Sequence, residues 1–434
     1  MGNGKDSSQL AGNFLFPKIF QTFRMAIQPS KLIISLLAMA IICLAGWIMD
    51  FSKTVVATRD AQGEIMNTEL QIYVDKPDQL QSWIEENKEE GEGTGLFSTL
   101  WQFDAAIFHG AVNSLVVLDL QGVKSNIIEC FQGIAWAVKY HPIYCIIFGL
   151  IKLAVISVAG GAICRIAALQ FAQGERPGLT EAVRFSTEKF TSFFTAPLAP
   201  ICIIVFIGFF IFLLGLVGNI PWAGELIIGI FMILALIAAV LIAIVLIGTV
   251  AGFNLMFPAV SYEGSDCFDA ISRAFSYVYT KPWHMGFYTA IAAVYGAICY
   301  VFVRFFTFLL LWVTRWFLQL GVLGGNKKLT AIWPEQPSFM SLRVQPDWQQ
   351  LIWSEWLAAV LVYFFLLVVV GLLVSFIISF YFSANTIIYS LMRNRVDNTA
   401  LEDVYKHTDE VKTEPLTTEA KSEEESQPTS DSET

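Results

Sequence analysis

The chain of 434 residues is short of what soluble enzymes work with: only 15% of its residues are charged, against 55% that are apolar. Four histidines, His109, His141, His284 and His407, are spread so that no two stand at metal-ligand spacing. No phosphate-binding glycine loop, GxSxG, HExxH or CxxC occurs, so neither a catalytic centre nor a metal or cofactor site is expected. Seven cysteines do not make a disulfide framework. Only Cys130 lies in a long loop, while Cys43, Cys145, Cys164, Cys202, Cys267 and Cys299 sit in or beside apolar runs as small hydrophobes. The net charge of −10 leaves no basic footprint for nucleic acid.

What is present is apolar length. A mean hydropathy of +0.59 over a chain of this size places it in a lipid bilayer. Crossing a hydrocarbon core of ~30 Å takes roughly 20 helical residues, because lipid offers no partner to an open backbone amide. Six segments qualify: 32–49; about 143–162, interrupted by Lys152; about 199–217 and 226–251, joined by the turn "GNIPWAGE"; about 282–311, carrying Arg304; and about 357–381. A seventh crossing is possible if Ile127 to Val138 dips into the bilayer. The expected fold class is therefore all-α, a polytopic transmembrane bundle of about six spans.

Lys and Arg near the span ends set orientation. Lys5, Lys18, Arg24 and Lys31 precede span one, Arg165, Arg176, Arg184 and Lys189 follow span two, and Arg393 to Arg395 follow span six. These place both termini in the cytoplasm. Arg315, Lys327, Lys328 and Arg343, on the opposite side, dissent. Segment 1–31 carries "FPKIFQTFRMAI", a short interfacial helix in which Ile19, Phe20, Phe23 and Ile27 share a face.

Between spans four and five stands a polar island, "YEGSDCFDAISRAFSYVYTKPW". Phe268, Ile271, Phe275 and Val278 follow helical spacing and form the apolar face of an amphipathic elbow helix, with Asp269, Arg273, Ser276 and Thr280 between them. Asp266 suits an N-cap and Pro282 the start of the next helix. This elbow is expected to lie flat under the bilayer. "GLTEAVRFSTEKFTSFFTAP" repeats the device after span two, and its Glu181-Ala182-Val183-Arg184-Phe185-Ser186 resembles Asp269-Ala270-Ile271, Arg273 and Phe275-Ser276. Residues 143–311 then read as a four-span core of two parallel span-elbow-span units.

The stretches "GGAICRIAALQFA", "GFNLMFPAVSYEGSDCFDAISRAFSYVY" and "NTIIYSLMRNRVDNTALEDVY" resemble the signature stretches of an uncharacterised bacterial multi-pass integral membrane family. More distantly, a span, an elbow with an acidic-Ala-apolar start and a second span are similar to the membrane domain of some glycerophosphodiester phosphodiesterases. The likeness covers Phe16 to Tyr405. It implies a fold and a place in the bacterial cytoplasmic (inner) membrane, and brings no catalytic residue with it.

Two outer loops remain. Residues 50–142 are acidic and then amphipathic: Leu96, Leu100, Phe103, Ile107, Ala111 and Leu115 form one helical stripe, and Ile127, Phe131, Ile134 and Val138 another. Both helices are expected on the outer leaflet or capping the bundle. Residues 312–356 are Trp-rich. Of twelve tryptophans all but Trp283 fall on the outer side, which suits anchoring of loops or a platform for a protein partner or lipid. Span six runs over 357–395, and the tail 396–434 carries twelve acidic residues against Lys406, Lys412 and Lys421, a disordered acidic extension.

Two functions compete. The first is a non-enzymatic membrane protein that organises protein partners or lipids. The second is a transporter or channel subunit using the intramembrane charges Lys152 and Arg304 in an anion or lipid path, since such charges cost from roughly 2.5 kcal/mol upward unless paired or hydrated. Both lie in the outer half of their spans, where the side chains are expected to reach the headgroups or an acid such as Asp104 or Asp119.

Overall fold

The structure, a computed structural model, describes residues 16–59, 65–87, 92–321, 327–333, 338–339, 342 and 351–405. The acidic tail beyond Tyr405, residues 1–15, and Arg343 and Trp348 lie outside the described residues. A 3₁₀ turn, Phe16–Gln21, leads into α1 (Thr22–Ala26) and α2 (Pro29–Met49). Pro29 holds Gln28 extended, which separates the two helices. Next come β1 (Val55–Arg59), β2 (Ile65–Thr68), α3 (Glu69–Asp75), α4 (Leu80–Asn87) and β3 (Glu92–Thr94). The helices α5 (Leu96–Val116), α6 (Leu120–Tyr140), α7 (Pro142–Ala172), α8 (Leu179–Glu188), α9 (Phe190–Val217), α10 (Ala223–Glu263), α11 (Cys267–Thr280), α12 (Pro282–Gly321), α13 (Lys327–Ile332) and α14 (Trp353–Asp397) complete the chain.

Six helices, α2, α7, α9, α10, α12 and α14, are long and apolar enough to cross a membrane, so the chain is a polytopic α-helical membrane protein. α6 is not one of them. Helices α10, α12 and α14 have 41, 40 and 45 residues. At ~1.5 Å per residue they are roughly 60 Å long, about twice the hydrocarbon core. Phe16, Val404, α1, α8 and α11 gather at one end of the bundle, the elbow end; the sheet with α3 and α4 lies at the other, the cap end.

The core sits at the elbow end. There α14 is central, touching α1, α2, α7, α10, α11 and α12. Ser375, Ser379, Ser383, Thr386 and Ser390 recur along its buried side. Small side chains let neighbouring backbones come close, and the hydroxyls bond without outside partners: Ser379 donates to the Ala26 carbonyl at 2.8 Å, and Thr386 to its own helix at Phe382. The facing turn of α7, Gly160–Gly161, uses the same economy of volume, and Gly161 lies under Ser186 and Phe193.

The elbows do not lie flat. α11 doubles back along α10: Ala274 packs at Gly252, Phe275 at Gly248, and the Tyr279 hydroxyl reaches the Ile244 carbonyl. α8 does the same to α7, with Ser186 donating to the carbonyls of Ser157 and Val158 at 3.0 and 2.7 Å. Each buries its apolar face on protein, which saves more apolar area from water than contact with a wet headgroup layer. On α11 the buried residues are Ala270, Ile271, Ala274, Tyr277 and Val278, with Phe275 partly covered. Phe268, expected on that face, is 67% exposed, because it falls at the first turn, ahead of the crossing.

The loop 50–142 departs most from expectation. Val55, Val56 and Thr58 are β-branched, and β1 pairs antiparallel with β2 and β3 in an unforeseen sheet of order β2-β1-β3. Gly95, the N-cap of α5, has no side chain, so Asp50 caps the helix from outside, accepting from the Phe97 and Ser98 amides at 2.7 and 2.9 Å. Its carboxylate occupies the place a Cβ at Gly95 would need. α5 and α6 form an antiparallel hairpin, with Ser114 facing Gly122 and Asn126 facing Gly110. This hairpin does not lie across the bundle. Phe97 packs on Gly46 and Phe148 near the cap ends of α2 and α7, whereas Val112 clusters with Ala297 and Leu373 well along α12 and α14.

The turn between α9 and α10 is tight, with Trp222 at φ +71° and 91% exposed. Trp136 and Trp333, expected as surface anchors, are buried. Replacing Gly161 by Leu should force the Ser186 and Phe193 side chains away from α7. We expect a loss of about 1–3 kcal/mol, read as a lower melting temperature in detergent, with Gly149→Leu, where nothing would be met, as the tolerated control.

Candidate functional site: a charge clamp, buried cations and a cleft between spans

The polar island closes the elbow end as a clamp. Asp266 caps α11 by accepting from the Asp269 amide at 3.0 Å. One helical turn on, Arg273 binds Asp269 at 3.1 Å and also faces Glu263 of α10 at 3.6 Å and Asp397 of α14 at 3.8 Å. The expected wetted face is thus the meeting point of three helices. Glu263 is shared with Arg393, whose Nε lies 2.7 Å from it and whose Nη2 reaches Asp403 at 3.2 Å. Burial works against charge on Arg273, but Glu263 and Asp269 outweigh it and hold its pKa above the usual range. Tyr277, pushed upward by burial and by Asp397, stays a phenol and donates to that carboxylate at 2.5 Å.

The clamp joins both elbow units to the end of the chain. Gly264 ends α10 in the left-handed region, φ +61°, with the Tyr405 ring where a side chain would project. The Gly264 carbonyl accepts from Lys189 at 2.5 Å, and the Tyr262 carbonyl from the Tyr405 amide at 2.8 Å. Lys281 bonds the Arg395 carbonyl at 2.8 Å.

Two cations expected at the membrane surface are instead fully buried. Lys31, at the start of α2, donates to Gln170 Oε1 at 3.1 Å and Ser383 Oγ at 3.4 Å. Arg165 lies within α7, which continues beyond the expected end of span two at 162. It donates to the Ser261 carbonyl at 3.1 Å and stacks over Phe185 at 4.6 Å. A signal for Arg165 existed, because it is the only charge between Lys152 and Glu175.

Lys152 and Arg304, the two intramembrane candidates, do not converge. Lys152 is exposed and acts electrostatically on Asp104 and Cys130. Arg304 does not reach outward to headgroups: it is 8% exposed and donates to the Phe339 carbonyl at 2.9 Å, His109 Nδ1 at 2.8 Å and the Tyr300 hydroxyl at 3.0 Å. Arg315, taken for a loop residue, lies in α12, which runs on to Gly321, and donates to the Trp333 carbonyl. Both arginines tie loop segments to the bundle.

A cleft of about 310 Å³ lies between α12 and α14, with α5 on one side and Asn254 of α10 at its edge. Its walls are largely apolar, including Val112, Leu115, Ala293, Ala297, Ile377 and Phe380. Its polar lining residues are Asn254, Thr289, Tyr300, Tyr381 and Asn385, of which Tyr381 donates to Asn254 Oδ1 at 2.5 Å and the Tyr300 hydroxyl accepts from Arg304 at 3.0 Å. Among the described residues no three His, Cys, Asp or Glu side chains converge as a metal site. Compared with protein-family models, curated proteins and solved structures, the chain matches none.

The clamp gives a ranking of stabilities. Arg393→Ala leaves the nearly buried Glu263 without its closest cation and should cost about 3 kcal/mol. Arg273→Ala removes a side chain that is one-third exposed and should cost about 1 kcal/mol. Detergent melting curves check the order, and Ile271→Asp should be worse than Phe268→Asp in the same assay.

Proposed function

We propose that this chain is a non-enzymatic integral membrane protein that organises lipids, and through its cap end protein partners, in the bacterial cytoplasmic membrane. The observation that carries this reading is the separation of the two intramembrane charges. A path for anions needs hydrated or facing cations along one route. Here Lys152 lies on an open flank and Arg304 is enclosed by His109, Tyr300 and Phe339. The resemblance of the quoted stretches to an uncharacterised bacterial membrane family and, more distantly, to the membrane domain of some glycerophosphodiester phosphodiesterases is in keeping with the same membrane role. Reconstituted in proteoliposomes, the protein should give no chloride or phosphate flux above protein-free vesicles. Flux abolished by Lys152→Gln would overturn the reading in favour of transport.

Both termini are proposed to be cytoplasmic. Burial of Arg315 weakens the dissent of the loop after α12, while Arg176, Arg184 and Lys189 remain near the elbow end. A reporter fused after Arg395 should then read cytoplasm, and a cysteine replacing exposed Lys53, in a background without the native cysteines, should react with an impermeant thiol reagent from outside. The reverse pattern at both sites would invert the orientation.

A further inference from the structure

The α5–α6 hairpin runs at the level of the spans. Phe97 stands at Gly46 and Phe148; fifteen and eighteen residues later, Val112 and Leu115 line the same cleft as Ala297, Phe376 and Ile377, and on α14 Gly371 already lies against Leu36 and Met39 of α2. α5 therefore runs from the cap ends of α2 and α7 to the middle of α12, on which it packs, and α6 climbs back. Its tip is mixed and open: Val117, Leu118 and Leu120 are exposed beside Asp119, Gln121 and Lys124, and Ile127, Phe131, Ile134 and Val138 are exposed along α6. Lipid suits the apolar face of α6, while Asp119 and Lys124 call for water or headgroups.

The cleft lies between α12 and α14, with Phe108, Val112 and Leu115 of α5 on one side and Asn254 of α10 at its edge. Its mouth is on the outer flank, where Ala293 and Tyr381 are exposed beside the lipid-facing side chains Val250, Phe253 and Ile298. An unfilled, largely apolar space forfeits dispersion contacts, and water gains few hydrogen bonds by entering it. The neighbour in unlimited supply at that depth is an acyl chain. We infer that the cleft walled by this hairpin holds an acyl chain of a bilayer phospholipid. This rests on the lipid-organising reading and names its ligand and site.

The test uses the full chain in vesicles containing phosphatidylethanolamine with a photoactivatable group on one acyl chain, and maps the labelled peptides. Labelling should concentrate on Ala292–Tyr300 and Val112–Leu115, above the level on the lipid-exposed stretch Ile230–Ile237 of α10. Ala293→Trp, which fills the mouth, should cut cleft labelling about tenfold and leave the α10 stretch unchanged. Leu115→Trp, from the opposite wall, should do the same if the first variant folds poorly. Labelling no greater than on α10, or unchanged by both fillings, overturns the proposal. So does a co-purified isoprenoid or a second copy of the chain found in the cleft in place of phospholipid. Anion flux in the liposome assay would sink the organising role while leaving cleft labelling intact, so the two failures are distinguishable.

Discussion

Inside a bilayer no water is at hand to complete a hydrogen bond, and this constraint orders the whole molecule. Helices satisfy most backbone amides of the spans internally, and a charged side chain carried into the bundle needs a partner there. Lys31, Arg165 and Arg304 follow one solution. Each finds carbonyls, hydroxyls, an amide or aromatic faces from another helix or loop, so each serves as a cross-link between parts of the chain. Carboxylates do not do this work at Lys31. They are concentrated at the elbow end, where Glu263, Asp269, Asp397 and Asp403 meet Arg273 and Arg393 beside solvent and the desolvation cost is smaller.

From this follows the shape of the bundle. Helices about twice as long as the bilayer is thick leave room for α8 and α11 to fold back and bury their apolar faces on α7 and α10. Packing is consequently densest where the elbows, α1 and the serine side of α14 converge. Farther from the elbows α9 and α10 contact mainly each other, and large side chains such as Phe206, Phe210, Ile233 and Ile237 are exposed. The cleft lies along α12 and α14 beside the tight end, its lining including Ala292, Phe376, Phe380, Ala384 and Ile388 of the elbow-end core.

The polar island is accordingly architecture of a particular kind. It reads the position of α14, because Asp397 and Arg393 are supplied by that helix and Glu263 by α10. Any movement of α14 against the second elbow unit would have to break this network, so the clamp fixes one wall of the cleft relative to another.

Much of this was legible from composition and periodicity. Six apolar runs predict six spanning helices because the hydrocarbon core admits little else, and the 3-4-3 spacing of Ile271, Phe275 and Val278 defines an amphipathic helix wherever it docks. Asp266 and Pro282 bound that helix for reasons local to the backbone. What the helix docks against is not local. Whether Phe268 is covered, whether Arg273 is wetted, and whether Arg165 belongs to a loop or a core depend on residues nearly a hundred positions away or more, such as Ser261 and Asp397. The α5 stripe likewise marks an apolar face without saying whether lipid, the cap or α12 receives it. Hydropathy counts how much apolar surface must leave water; only the tertiary structure decides which surfaces meet, because burial on a neighbouring helix and burial in lipid satisfy the same hydrophobic demand, and shape complementarity between distant segments chooses between them.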